Sequence, residues 1–94
     1  MTQDNRPAMP LRMANAGEEV ILAEVLGGKD LQHRLAEMGL LPGAQFTIVS
    51  PGKSGPFIIM LKGTKLMLGL GMVHKIMIKP AWFKDFELDF NNKI

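Results

Sequence analysis

The sequence contains no cysteine, which excludes disulfides, thiolate metal sites and thiol nucleophiles together. It also lacks a long apolar run. Hydrophobic residues make up 47% of the chain, but glycine and lysine interrupt each run well before the roughly 20 residues that a membrane-spanning helix needs. The start of the chain is polar, so we expect no secretory signal. The 94 residues have room for one domain with a single core, and we expect a cytoplasmic domain without direct membrane insertion.

Acidic residues are missing from the middle of the chain. The net charge is only +2, but no Asp or Glu occurs between Glu37 and Asp85, where six lysines fall. Such a segment suits an anionic partner, whether nucleic acid, lipid head groups or an acidic protein face. The alternative is that these lysines lie on the solvent side of hairpins and edge strands, where lysine discourages aggregation. Four of the lysines form a candidate partner surface: Lys53, Lys62, Lys65 and Lys75.

One amphipathic helix with a forced stop is predicted in the first half of the chain. The apolar residues Leu31, Leu35 and Met38 recur at the helical period, so they share one face that can be buried. The polar residues fall on the opposite face: Gln32, His33, Arg34 and Glu37. Asp30 can cap the start of the helix with a side-chain oxygen, and Gly39 can end it in the left-handed conformation.

A tight turn is predicted directly after this helix. The glycine ending would fold Leu40 back onto Leu35. Pro42 then presets φ and Gly43 takes positive φ, which is the chemistry of a type II turn. A β-like run starts at the next residue, so the turn connects the helix directly to a strand.

Short β-like segments fill the rest of the chain. Their composition and their flanking glycines and prolines predict strands over residues 19–26, 44–50, 57–62, 65–68 and 74–79. In the second of these, Phe46 and Ile48 are expected to face inward. Gly63-Thr64 is expected to connect a hairpin with glycine first, and residues 69–72 are expected to form a bend or a single helical turn.

These elements predict a mainly β fold. Short strands around one helix, without a βαβ rhythm, favour a small antiparallel barrel of about five strands with one short helix. We divide the chain into a disordered N-terminal tail (1–10), a barrel domain (11–80) and an aromatic, acidic C-terminal tail (81–94).

The helix stop and turn are part of a larger pattern. It consists of a strand that ends in Gly-Gly, the stop and turn at fixed offsets, a glycine-split hairpin and a closing Lys75-Ile76-Met77-Ile78. This pattern resembles the ferrous iron transport protein A (FeoA) family over roughly residues 11–79. The family core positions are Arg34, Leu35, Met38, Gly39, Leu40, Pro42 and Gly43. The resemblance implies an SH3-like barrel, a domain that is also found appended to iron-dependent repressors.

The resemblance also implies a function. It implies a cytoplasmic accessory or regulatory protein of ferrous iron uptake that binds the membrane GTPase and ferrous permease called FeoB, with no chemistry of its own. The alternative is a nucleic-acid-binding barrel or a regulatory domain related to iron-dependent repressors, which the lysine segment supports. Between residues 45 and 79 only Phe46 and Phe57 could stack a base, and both occupy core-like positions. We therefore expect no nucleic acid partner.

No enzyme, cofactor or specific metal site is predicted. His33 and Glu37 lie on the polar face of the helix and could supply metal ligands together with His74, but any soluble helix presents such a set. Gly52-Lys53-Ser54 resembles the end of a phosphate-binding P-loop. That motif needs a helix directly afterwards, where this chain has Pro56 and a β-like run, so we reject it.

The C-terminal tail contains four of the six aromatic residues: Trp82, Phe83, Phe86 and Phe90. Because such rings are rarely left in water, we expect the tail to dock. Its own barrel is the favoured partner because a local partner has the higher effective concentration, and a second copy or the transporter are the alternatives.

Two conformations of the tail are compatible with its sequence. At helical spacing, Trp82, Phe86 and Phe90 share one face. In a strand, two sets would face opposite ways, one of Phe86, Leu88 and Phe90 and the other of Asp85, Glu87 and Asp89. This strict alternation favours the strand. The candidate self-association residues are Trp82, Phe86, Leu88 and Phe90.

Overall fold

The computed structural model describes residues 8–53 and 55–82, and these residues form a mainly β fold. One antiparallel sheet contains β1 (Met9–Pro10), β2 (Glu19–Val25), β3 (Gln45–Pro51), β4 (Phe57–Leu61), β5 (Thr64–Leu68) and β6 (Ile76–Pro80). Short helices connect the strands: a 3₁₀ helix (Leu11–Met13), α1 (Lys29–Glu37) and α2 (Leu70–Val73). The strands lie in the order β1-β6-β2-β3-β4-β5, so β1 and β5 are the edges of the sheet. The predicted mainly β, SH3-like antiparallel class is confirmed.

The sheet curves around a single apolar core. The register shifts between Leu22 and Glu24 of β2 and between Ile48 and Ser50 of β3, and an extra residue of this kind bends and twists a strand. Every buried residue among those described is apolar. The largest are Phe57, Leu11, Leu22, Leu35, Leu40, Ile48, Ile59, Ile76 and Ile78. Burial of each such side chain contributes about 1.5–3 kcal/mol.

The alternation predicted for β3 is confirmed. Phe46 and Ile48 are buried in the core cluster, whereas Gln45 is exposed. Because side chains alternate between the two faces of a strand, this burial also fixes the register of β3 against its neighbours.

The first strand lies inside the predicted N-terminal tail. Met9 pairs with Ile78 and Pro10 pairs with Met77, so the fold begins two residues before the expected boundary at Leu11, and β1 was not predicted. Because β1 is an edge strand, the missing N–H of its proline costs no ladder hydrogen bond. Residues 1–7 lie outside the described residues, and their disorder stays a prediction.

The hairpin between β4 and β5 turns one residue earlier than predicted. Leu61 pairs with Thr64, so Lys62 and Gly63 are the central residues of the turn. Their φ angles are 51° and 83°. Two positive φ angles are typical of a type I′ turn, so the predicted Gly63-Thr64 connection with glycine first is wrong. The type I′ turn matches the right-handed twist of the flanking strands, which favours it even though Lys62 must adopt a left-handed conformation.

Helix α1 begins without the predicted cap. Gly28 is the N-cap residue and makes no side-chain capping hydrogen bond. The prediction that Asp30 caps the helix is therefore wrong. Asp30 lies in the first turn, where its negative charge interacts favourably with the helix dipole. The single helical turn expected near residues 69–72 is confirmed as α2.

The described chain ends just after β6. Ala81 and Trp82 are helical. Ala81 is buried, whereas Trp82 is 49% exposed. The remaining residues of the tail, 83–94, lie outside the described residues, and so do Phe86, Leu88 and Phe90.

Candidate protein-interaction surface

Helix α1 turns its predicted apolar face to the core. Leu35 is fully buried, and Leu31 and Met38 pack partly buried against the core cluster. The residues predicted for the opposite face are exposed: Gln32, His33, Arg34 and Glu37. Burial of one face by the sheet fixes how the end of the helix is oriented on the barrel.

The helix ends in a Schellman motif. The amide of Leu40 donates to the carbonyl of Leu35 at 2.8 Å, and the amide of Gly39 donates to the carbonyl of Ala36 at 2.9 Å. Gly39 has a φ of 93°, the left-handed conformation that this motif requires. A Cβ at Gly39 would also lie 3.1 Å from Leu61 Cδ2. The predicted glycine stop is therefore confirmed.

The turn after the helix is fixed to the sheet. The amide of Ala44 donates to the carbonyl of Leu41 at 2.9 Å, and Gly43 has a φ of 96°, as expected for a type II turn with Pro42 before the glycine. Two further hydrogen bonds join this turn to β2. Gly43 N donates to Leu22 O, and Leu22 N donates to Ala44 O, both at 2.8 Å. Backbone hydrogen bonds within the turn and to β2 therefore hold the turn in place.

Two clefts meet at this turn, and Leu41 and Pro42 line both of them. The larger cleft, about 680 Å³, extends to the start of β3 and to the hairpin turn at Lys62. The smaller cleft, about 280 Å³, extends along β2 to Val25 and to Gln32 of α1. We call the surface formed by Leu41, Pro42 and these clefts the turn surface.

Leu41 is the exposed apolar side chain of the turn surface. It is 52% exposed, whereas the preceding Leu40 is 1% exposed. The clefts that Leu41 lines also have polar and charged lining residues, Glu19 and Lys62 in the larger cleft and Gln32 in the smaller one. An apolar centre with a polar rim is the usual anatomy of a protein interface.

The four lysines of the predicted partner surface are all exposed: Lys53, Lys62, Lys65 and Lys75. They lie on different elements. Lys53 follows β3, Lys62 is in the β4–β5 turn, Lys65 is on β5, and Lys75 precedes β6. Of the four, Lys62 alone lines the larger cleft. A surface formed by all four stays a prediction.

The candidate metal ligands do not form a cluster in the part of the chain that the structure describes. His33, Glu37 and His74 are exposed, and no group of at least three His, Asp or Glu side chains there could hold a metal ion. The strand β4 follows the Gly52-Lys53 stretch, where a P-loop would have a helix. Among the same described residues, no helix is long and apolar enough to cross a membrane.

Comparison with known proteins places this chain in a family. Residues 9–80, from the start of β1 to the end of β6, match the model of the FeoA domain. The chain belongs to the FeoA family. A Methanocaldococcus jannaschii relative named "Putative Fe(2+) transport protein A" is 36% identical over 72 residues, which are 77% of this chain and 87% of the relative.

Solved structures agree with the family assignment. The crystal structure of an iron uptake regulatory protein (FeoA) has a TM-score of 0.69 at 30% identity, and the match covers 79% of this chain and 97% of that chain. The crystal structure of T. acidophilum IdeR has a TM-score of 0.72 over 85% of this chain but only 37% of IdeR. At 16% identity, IdeR shows the shared fold alone.

The FeoA core positions stay a prediction, and sequence reasoning missed Leu41, which lies between two of them. The core residues Leu35 and Leu40 are buried, and Gly39 and Gly43 supply the positive φ angles. The signal for Leu41 was present in the sequence. Once the helix ending turns the first leucine of a Leu-Leu pair inward, the second has no place in the same core.

Proposed function

We propose that this protein is a cytoplasmic accessory protein of ferrous iron uptake that acts by binding the FeoB-like GTPase-permease of the same cell. Membership in the FeoA family supports the process, as does the name of the 36% identical relative, which refers to Fe(2+) transport. The exposed Leu41 on the turn surface supports a binding role.

The observation that carries the proposal is the exposed Leu41 on a turn that backbone hydrogen bonds hold in place. Full burial of an exposed leucine side chain is worth about 1.5–3 kcal/mol. Leu41 is 52% exposed, so burial of its remaining surface is worth about 0.8–1.6 kcal/mol, which corresponds to a roughly 4- to 15-fold change in Kd. Because Leu40, directly before the turn, is bonded to α1 and the turn itself is bonded to β2, a partner gains this energy without ordering a loop. The turn surface is therefore the part of the molecule that we assign to the transporter.

Binding alone would not regulate the transporter. A ligand shifts an equilibrium only by its difference in affinity for the two states. We infer that the turn surface fits one nucleotide state of the GTPase better than the other, so that binding of this protein biases gating. No reaction by the protein itself is needed for this effect.

The nucleic-acid alternative receives little support from the described residues. Phe46 and Phe57, which are the aromatic residues between positions 45 and 79, are 3% and 1% exposed and cannot stack a base. A salt titration against RNA and DNA separates the two functions. Submicromolar binding with a steep dependence of log Kd on log salt concentration would favour the alternative.

The direct test is a titration of the full chain against the detergent-solubilised transporter, loaded first with GDP and then with a non-hydrolysable GTP analogue. We expect saturable binding, with Kd values in the two states that differ at least about 5-fold, the lower end of typical coupling between sites. Equal affinity for both states would overturn the regulatory mechanism. Absence of binding in both states would overturn the proposed function.

A further inference from the structure

The strand β5 is an open edge of the sheet. In the described residues it pairs with β4 and with no second strand. The type I′ turn closes on Leu61 and Thr64, which form the hydrogen-bonded pair of a two-residue hairpin. Hydrogen-bonded and non-hydrogen-bonded pairs alternate along antiparallel strands. Lys65 and Met67 therefore direct their N–H and C=O groups away from β4, and such a row can template another strand.

The side chains of this edge define what can pair with it. Leu66 and Leu68 face the core, and Leu66 is only partly buried. Lys65 and Met67 are on the outer face, and Met67 is 69% exposed. A complementary strand would carry apolar residues on the inner side, where they complete the cover over Leu66, and acidic residues on the side of Lys65.

Charge argues against a second copy of β5 as that strand. No acidic residue lies between Glu37 and Asp85, so self-pairing of the edge would bring lysines together without a counter-charge. Residues 85–90, Asp-Phe-Glu-Leu-Asp-Phe, have the required alternation of acidic and apolar side chains. They lie outside the described residues. We propose that the edge of β5 is the docking site of the chain's own residues 85–90, which add to the sheet as a strand.

The topology gives this strand a direction. Four antiparallel pairings, β6–β2, β2–β3, β3–β4 and β4–β5, separate β6 from β5. An even number of reversals gives β5 and β6 the same sense, so a segment that turns back after Pro80 runs antiparallel to β5. Ala81 and Trp82 are helical and take the chain out of the β6 direction.

The connection to the proposed strand is short. Residues 83 and 84 join Trp82 to Asp85, so the first residue of the strand can lie at most about 11 Å from Trp82, and docking requires this end of the β5 edge to lie within that reach. Because both partners belong to one chain, the short connection keeps the effective concentration of the tail at the edge high.

The test uses amide hydrogen exchange by NMR on the full chain at several protein concentrations. The proposal predicts that the amides of Lys65 and Met67 are protected in the wild type and exchange at least about 10-fold faster in Leu88→Pro, because proline cannot take its place in a ladder. Asn92→Pro places the same residue beyond the strand and is the matched control, with wild-type protection expected. The amide of Ile59 reports that the barrel of each variant stays folded.

A second pair of variants tests how much the charge of Lys65 contributes to docking. Lys65→Glu is expected to raise exchange at Met67, whereas Lys53→Glu, in the loop after β3, is expected to leave it unchanged. If the amides of Lys65 and Met67 exchange at the same rates in Leu88→Pro as in the wild type, the proposal is wrong. Protection that rises with protein concentration, together with a doubled mass in light scattering, would also overturn it, because a second copy would then occupy the edge.

Discussion

The amide of Leu40 bonds to the carbonyl of Leu35 at 2.8 Å, and this one bond determines the orientation of two neighbouring leucines. It closes the helix ending that buries Leu40 on the core. The chain then enters the type II turn, which leaves Leu41 52% exposed. Leu35, Gly39, Leu40 and Gly43 therefore have structural roles, and the side chain that they leave exposed is Leu41.

Gly39→Val is expected to destabilise the barrel by about 2–4 kcal/mol. A β-branched residue at a φ of 93° is strained, and the added Cβ would crowd Leu61 Cδ2. Thermal unfolding should show a fall in Tm of at least about 8 °C. Gly55→Val is the control, because a Cβ there meets nothing within 4 Å and the backbone is not left-handed. An unchanged Tm for Gly39→Val would contradict the Schellman ending.

Lys62→Asn is expected to stabilise the protein by about 0.5–1 kcal/mol. Among the described residues other than glycine, Lys62 alone has a positive φ, and asparagine tolerates that conformation better. Denaturant titration should show a higher midpoint with an unchanged slope. Lys53→Asn removes the same charge where φ is not positive and serves as the control. A gain of equal size in both variants would show that charge, rather than the type I′ turn, is responsible.

Calorimetry with GTP, ferrous iron and zinc is expected to show no saturable site tighter than about 10 μM. Neither a phosphate cradle nor a closed set of ligands is visible in the sequence. The ligand candidates His33, Glu37 and His74 are exposed side chains. A stoichiometric micromolar metal site that His33→Ala abolishes would contradict this expectation.

Features that depend on a few consecutive residues could be predicted from the sequence. Gly39 and Gly43 have the predicted positive φ angles because helix endings and turns are local chemistry. Phe46 and Ile48 are buried as predicted, since alternation within one strand already defines its inner face.

Features that depend on distant pairing could not be predicted in the same way. β1 is only two residues long, and its partner Ile78 lies far along the chain, so no local pattern marks it. The hairpin turn was predicted one residue too late. Glycine fits the first central position of a type II′ turn and also the second central position of a type I′ turn, so Gly63 alone does not distinguish them.

The most direct test of the account measures the affinity of Leu41→Glu for the solubilised transporter. Leu70→Glu is the matched control, since Leu70 is also a leucine and is 57% exposed, on α2. Both variants should unfold within about 0.5 kcal/mol of the wild type, because both side chains are on the surface. We expect Leu41→Glu to raise Kd at least about 10-fold, because the contact loses apolar burial and gains an unpaired carboxylate. Leu70→Glu should stay within about 3-fold of the wild type. Wild-type affinity for Leu41→Glu would contradict the assignment of the turn surface to the transporter.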